Sequence, residues 1–81
     1  MQGNIKDIIT IDPEIMGGQP VFKNTRVPVE SLFDHLEEGV PLDAFLADFD
    51  TVSREQAIAV IEIASKLLSS KNISELYASA A

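Results

Sequence analysis

Residues 28–49 run Pro28-Val29-Glu30-Ser31-Leu32-Phe33-Asp34-His35-Leu36-Glu37-Glu38-Gly39-Val40-Pro41-Leu42-Asp43-Ala44-Phe45-Leu46-Ala47-Asp48-Phe49. Val29, Leu32, Phe33 and Leu36 recur at i, i+3, i+4 and i+7, the spacing that places them on one face of a helix. Pro28 suits a first helical position, and Gly39 can take the left-handed conformation that ends a helix. The pattern then repeats, with Pro41 followed by Leu42, Phe45, Leu46 and Phe49 at the same spacing. Val40 stands where a capping Ser or Asp is expected, so the second helix is predicted to start loosely. Two short amphipathic helices in tandem result.

Beyond them a longer third helix is predicted. Ser53 and Gln56, three residues apart, form a capping box, and Ala57, Val60, Ile61, Ala64, Leu67 and Leu68 make the main apolar stripe. Ile58 and Ile63 lie off that stripe and widen it. A surface helix needs an apolar stripe of only about 100°, so this one is expected to be the central helix and to carry a dimer contact as well. After Ser69-Ser70 the signal weakens. Ile73, Leu76 and Tyr77 keep the spacing i, i+3, i+4 before Ala78-Ser79-Ala80-Ala81. Residues 70–81 read as a frayed terminus or as a partner-binding arm that orders on its target, with Ile73, Leu76 and Tyr77 as anchors.

On the N-terminal side, Ile8-Ile9-Thr10-Ile11 is a short β-rich run broken by Asp12-Pro13, and Gly17-Gly18 gives a bend. Val21-Phe22 and Arg26-Val27 flank Lys23-Asn24-Thr25, and because Asn tolerates positive φ, Lys23-Asn24 can close a tight hairpin. A two-stranded hairpin is marginal alone, so it must pack on the helices or pair with another chain. The expected fold is mainly α: a three-helix, helix-turn-helix-like (homeodomain-like) bundle with an N-terminal short strand and β-hairpin over residues 1–69, followed by the tail or arm 70–81.

Composition bounds the function. Eighty-one residues, 46% of them apolar, suffice for one small globular domain. There is no cysteine, which excludes disulfides and thiolate chemistry. No apolar run approaches the roughly 18 residues of a membrane span, and Met1-Gln2-Gly3-Asn4 does not begin a signal peptide, so a cytoplasmic location is expected. The net charge of −7 is concentrated. Lys6, Lys23 and Arg26 balance Asp7, Asp12 and Glu14 in residues 1–29, and Lys66 and Lys71 balance Glu62 and Glu75 in residues 56–81. Residues 30–55 hold Glu30, Asp34, Glu37, Glu38, Asp43, Asp48, Asp50 and Glu55 against Arg54, so 8 − 1 = 7. Such a block repels phosphate backbones and attracts a basic partner surface, or else is a well-solvated helix face.

Catalytic patterns are absent from the sequence. His35, the only histidine, has Asp34 and Glu38 nearby, but metal sites gather three or four ligands, and a solvated residue beside the acidic face is the expectation. No catalytic residue, metal or cofactor is predicted, and no enzyme. The second and third helices admit a helix-turn-helix reading, in which Arg54 and Gln56 could reach base edges while Glu55, Asp48 and Asp50 oppose phosphate approach. Lys23, Asn24 and Arg26 make the one locally basic patch, which equally suits ordinary turn chemistry and a surface ion pair.

The run Ile11-Asp12-Pro13-Glu14-Ile15-Met16-Gly17-Gly18-Gln19-Pro20-Val21-Phe22-Lys23-Asn24-Thr25-Arg26-Val27-Pro28-Val29 resembles the opening D-P-x-I-x-G-G-K-P-x-I-x-G-T-R-[IV]-P-V of a bacterial and archaeal family, domain of unknown function 433. The resemblance extends over about residues 8–67. Gln19 stands in place of the usual Lys and Asn24 in place of the usual Gly. The resemblance implies a small helix-turn-helix-like domain similar to VapB-type antitoxins, which are encoded beside PIN-like ribonuclease toxins. By that likeness the chain would bind and block such a toxin, with possible operator DNA binding and autorepression, as a homodimer or hetero-oligomer. The acidic block and the Ile73/Leu76/Tyr77 arm are the candidate inhibitory surfaces. The rival expectation is a stand-alone DNA-binding regulator using Lys23, Asn24, Arg26, Arg54 and Gln56.

Overall fold

Phe22, Phe45, Leu32 and Val21 are the largest fully enclosed side chains, and the architecture is what three short segments must do to bury them together. The computed structural model describes residues 4–80. Its strands are β1 (Ile9–Thr10) and β2 (Val21–Phe22), and its helices are α1 (Val29–Glu37), α2 (Leu42–Asp48), α3 (Arg54–Leu68) and α4 (Lys71–Ser79). The start Met1-Gln2-Gly3 and the last tail residue, Ala81, lie outside the described residues.

The chain is mainly helical, with four helices where three and a tail were expected. The spacing of Ile73, Leu76 and Tyr77 did hold a helix, and residues 71–79 form it. The helix-turn-helix pair of the sequence reading corresponds to α2 and α3, which are separated by residues 49–53. Val52 in that connection is buried and fastens it to the core.

β1 and β2 pair antiparallel, with Ile9 opposite Phe22 and Thr10 opposite Val21. The short strand expected before the loop is therefore the ladder partner of Val21-Phe22. The predicted hairpin after β2 is also present, reduced to a single bridge between Val21 and Pro28. Two hydrogen bonds hold it, Phe22 N to the Val27 carbonyl and Val29 N to the Pro20 carbonyl, each 3.0 Å. Proline cannot donate to a ladder, which limits pairing on that side.

Local signals were read largely as the chain uses them. Gly39 has φ of 83° and ends α1. Its amide donates to the Leu36 carbonyl at 3.0 Å while Val40 N donates to the His35 carbonyl at 2.9 Å, the paired bonds of a Schellman motif. Pro28 and Pro41 differ from expectation by one place: each is the N-cap residue with extended backbone, and neither helix start has a side-chain cap. Ser53 caps α3 as predicted, accepting from Gln56 N at 3.0 Å, while Ser53 N donates to Gln56 Oε1 at 3.3 Å. A second capping box, Asn4 with Asp7, opens a single 3-10 turn at Ile5–Asp7 that the sequence reading did not anticipate. Gly17-Gly18 belongs to another such turn, with φ of 70° and 90°.

The core comprises Ile8, Phe22, Leu32, Phe45, Val52, Ala57 and Val60. The Phe45 ring lies 6.3 Å from that of Phe22 and 4.8 Å from that of Phe49, within the 4.5–7 Å at which aromatic pairs attract. His35 is not the solvated residue expected. Its ring packs edge-on against Phe45 and Phe49 at 5.3 and 5.5 Å. Its Nδ1 lies 2.7 Å from the Ser31 carbonyl, a contact that places the proton on Nδ1. On the α3 stripe Ala57 and Val60 are buried and Ile61 packs partly against the core, as does Ile63 beside it, while Leu67 and Leu68 are each 67% exposed.

Candidate functional site

Three surfaces carry the residues singled out in the sequence. The first is the turn after β2. Asn24 has φ of 65°, the positive φ that a type II turn demands at its third position, and Thr25 N donates to the Phe22 carbonyl at 3.0 Å to close it. Thr25 then fixes the turn a second time. Its hydroxyl donates to the Phe22 carbonyl at 2.8 Å and accepts from Val27 N at 3.0 Å. Lys23 reaches across to the N-terminal segment: its ammonium donates to the Lys6 carbonyl at 3.2 Å. Arg26 is exposed and, among the described residues, has no ion-pair partner. It borders an open groove with Thr10, Ile15, Asn24, Thr25 and Thr51.

Gln56 reaches this turn from the start of α3. Its amide nitrogen donates to the carbonyls of Lys23 and Ile8 at 3.1 and 3.4 Å. With Oε1 accepting from Ser53 N, each polar atom of the side chain has an intramolecular partner. Arg54, two residues away, turns instead toward α2 and forms an ion pair with Asp43. So of the five candidate nucleic-acid contacts, Lys23, Asn24, Arg26 and Gln56 are gathered at one turn, and Arg54 is committed elsewhere. The roles of Thr25 and Gln56 as fasteners were not read from the sequence. The signal for Gln56 was present in the capping box, whose geometry leaves the amide nitrogen free to reach outward.

The second surface is acidic. Glu30, Asp34, Glu37, Glu38, Asp43, Asp48, Asp50 and Glu55 are all exposed. Among the described residues, Asp43 alone of these has an ion-pair partner, Arg54. Exposed, uncompensated carboxylates along α1, α2 and the start of α3 produce a negative field that reaches about 8 Å at physiological ionic strength. Among the described residues, no three histidine, aspartate or glutamate side chains converge as a metal site. Nor is any helix among them long and apolar enough to cross a membrane.

The third surface is α4. Ile73 is half-buried, whereas Leu76 and Tyr77 are 63% and 84% exposed. No α4 residue is buried. Leu76 and Tyr77 on its apolar face are uncovered among the described residues.

Comparison with known proteins places this geometry in a family. A family model described as protein of unknown function (DUF433) matches residues 9–64, from β1 into the second half of α3, and leaves α4 outside. No curated protein matches the chain. A similar solved structure is the crystal structure of a DUF433 member protein from Anabaena variabilis ATCC 29413 at 2.00 Å resolution, with 30% sequence identity and a TM-score of 0.65. The alignment covers 73% of this chain and 58% of that one, so the chain spans less than two thirds of its relative's length. With more than half its residues matched by the family model, the chain belongs to the DUF433 family of proteins of unknown function.

Proposed function

We propose that this chain is an antitoxin-like binding protein of the cytoplasm that neutralises a cognate PIN-like ribonuclease toxin by covering its RNA-binding surface. It acts by binding rather than by catalysis. The observation that carries this reading is the acidic surface: eight exposed carboxylates in residues 30–55, from α1 to the start of α3, seven of them without an ion-pair partner among the described residues (8 − 1). A ribonuclease must attract RNA phosphates with basic groups, and a negatively charged protein surface competes for the same groups. The exposed face of α4, with Ile73, Leu76 and Tyr77, supplies the apolar anchors that charge alone lacks.

Co-purification with the product of the neighbouring reading frame tests this, repeated after deletion of residues 70–81. The expected result is a stable complex, weakened by high salt and by the deletion. Undiminished binding by the truncated chain removes the arm from the interface, and no complex with the intact chain contradicts the antitoxin reading.

The second reading is a helix-turn-helix DNA-binding regulator, acting alone or as the operon-repressing half of the same complex. The exposed and unpaired Arg26 at the turn beside α3 favours it. The pairing of Arg54 with Asp43 and the inward commitment of Gln56 weigh against it, because both side chains would have to exchange partners to touch a base. Binding of the chain's own promoter at low salt, lost on Arg26→Ala, supports this reading, and no binding at low salt opposes it.

A further inference from the structure

A groove lined entirely by apolar side chains is bounded by Ile5, Ile9, Val29, Phe33, Ile63 and Leu67 among others. It draws on the first 3-10 turn, β1, the start of α1 and α3 from Val60 to Leu67, of which Leu67 is exposed. Nothing among the described residues fills it. We propose that its occupant is α4 of a second copy of the chain, with Ile73, Leu76 and Tyr77 seated in the partner's groove and the exchange made reciprocally about a two-fold axis.

Several features point to a second copy. α4 presents an apolar face of its own and buries none of its residues. The two surfaces belong to the same chain, so a two-fold exchange satisfies both at once and closes without leaving an unfilled site. Charge does not oppose it. The groove is built mostly from residues 1–29 and 56–81, and α4 lies in the latter; each of these segments has equal numbers of acidic and basic groups, as counted above. The seven excess negative charges lie in residues 30–55, which contribute only Phe33 to the groove.

Local hydrogen bonds fix the junction between α3 and α4. Ser69 N donates to the Ser65 carbonyl at 3.0 Å, Ser70 Oγ to the Leu67 carbonyl at 2.9 Å, and Ile73 N to the Ser70 carbonyl at 3.2 Å. No residue of α4 lines the groove of its own chain. The radius of gyration is 14.0 Å, whereas a compact chain of this length has about 12 Å. With Leu76 and Tyr77 exposed, α4 is available to another copy. Seated in a second copy, Ile73, Leu76 and Tyr77 are not free to anchor a toxin, so a toxin that takes α4 must first displace the partner copy; the oligomeric state of the chain alone tests this inference separately from the antitoxin reading.

The test uses the intact chain, whose lack of cysteine allows single thiols to be placed at will. Light scattering is expected to give twice 8.8 kDa for the wild type. The double variant Leu76→Glu/Tyr77→Glu, exposed at both positions and so expected to retain its far-ultraviolet dichroism, should weaken the dimer by about tenfold or more. Mixing a Leu67→Cys chain with a Tyr77→Cys chain under oxidising conditions is expected to give the crossed disulfide in excess over either like pair. A monomeric wild type overturns the proposal, as does a dimer insensitive to Leu76→Glu/Tyr77→Glu. Closure of a Leu67→Cys/Tyr77→Cys chain on itself as a monomer would also overturn it, by assigning the groove to the chain's own α4.

Discussion

The side-chain amide nitrogen of Gln56 lies 3.1 Å from the carbonyl oxygen of Lys23, fastening the first turn of α3 to the turn that follows β2. The same nitrogen is 3.4 Å from the Ile8 carbonyl, and the amide oxygen caps the helix through Ser53 N. One neutral side chain thus joins the N-terminal segment to the helical layer. A residue that from sequence could be offered to a base is spent on the fold.

Gln56→Ala should cost about 1–3 kcal/mol, the range for leaving partly buried polar groups unpaired. For a domain of this size each kcal/mol lowers the melting temperature by about 4–8 °C. Gln56→Glu keeps the acceptor for Ser53 N but sets a carboxylate against two carbonyl oxygens, so it should be at least as destabilising as Gln56→Ala. Thermal unfolding of the three proteins checks this, and a Gln56→Glu chain as stable as wild type would disprove the fastening.

Thr25→Val preserves shape and removes both hydroxyl bonds within the turn. A loss of about 1–2 kcal/mol is expected in denaturant unfolding, with Thr25→Ser recovering most of it. A Thr25→Val chain as stable as wild type, with the loss confined to Thr25→Ser, would show that the methyl group, and not the hydroxyl, matters.

Gly39→Ala isolates backbone strain, because a Cβ there would meet no atom within 4 Å while φ is 83°. The expected cost is about 1 kcal/mol. At Asn24, where φ is 65°, Asn24→Gly should be neutral or slightly stabilising. Both are read from denaturant midpoints.

Arg54→Ala breaks an exposed ion pair with Asp43 and should change stability by less than about 1 kcal/mol. It should also leave toxin neutralisation intact. A fall of tenfold or more in promoter binding with unchanged stability would instead show that Arg54 leaves Asp43 to contact DNA.

The helices were legible because their information is local. Val29, Leu32, Phe33 and Leu36 define a face, Gly39 ends it, and Ser53 with Gln56 starts α3, all within one or two turns of chain. What was missed depends on distant partners. The pairing of Ile9 with Phe22 crosses an irregular loop with no periodicity to read. The seat of His35 against Phe45 and Phe49 exists only once α1 and α2 have docked. The acidic block was legible as charge and as a solvated face, and all eight carboxylates are exposed. α4 was half visible, because its three apolar anchors span little more than one turn, too little for the pattern to distinguish a helix from an end that frays.

Cleavage of RNA by the nuclease from the neighbouring reading frame, measured with and without this chain, tests most directly whether the acidic surface is the inhibitory one. The comparison is between the wild type and Glu30→Lys/Asp34→Lys/Glu37→Lys, three exposed positions on α1 whose change should leave the fold intact. The expected result is that the wild type abolishes cleavage and the charge-reversed chain requires about tenfold or more protein for the same effect. Equal neutralisation by the two chains, or no inhibition by the wild type, would contradict it.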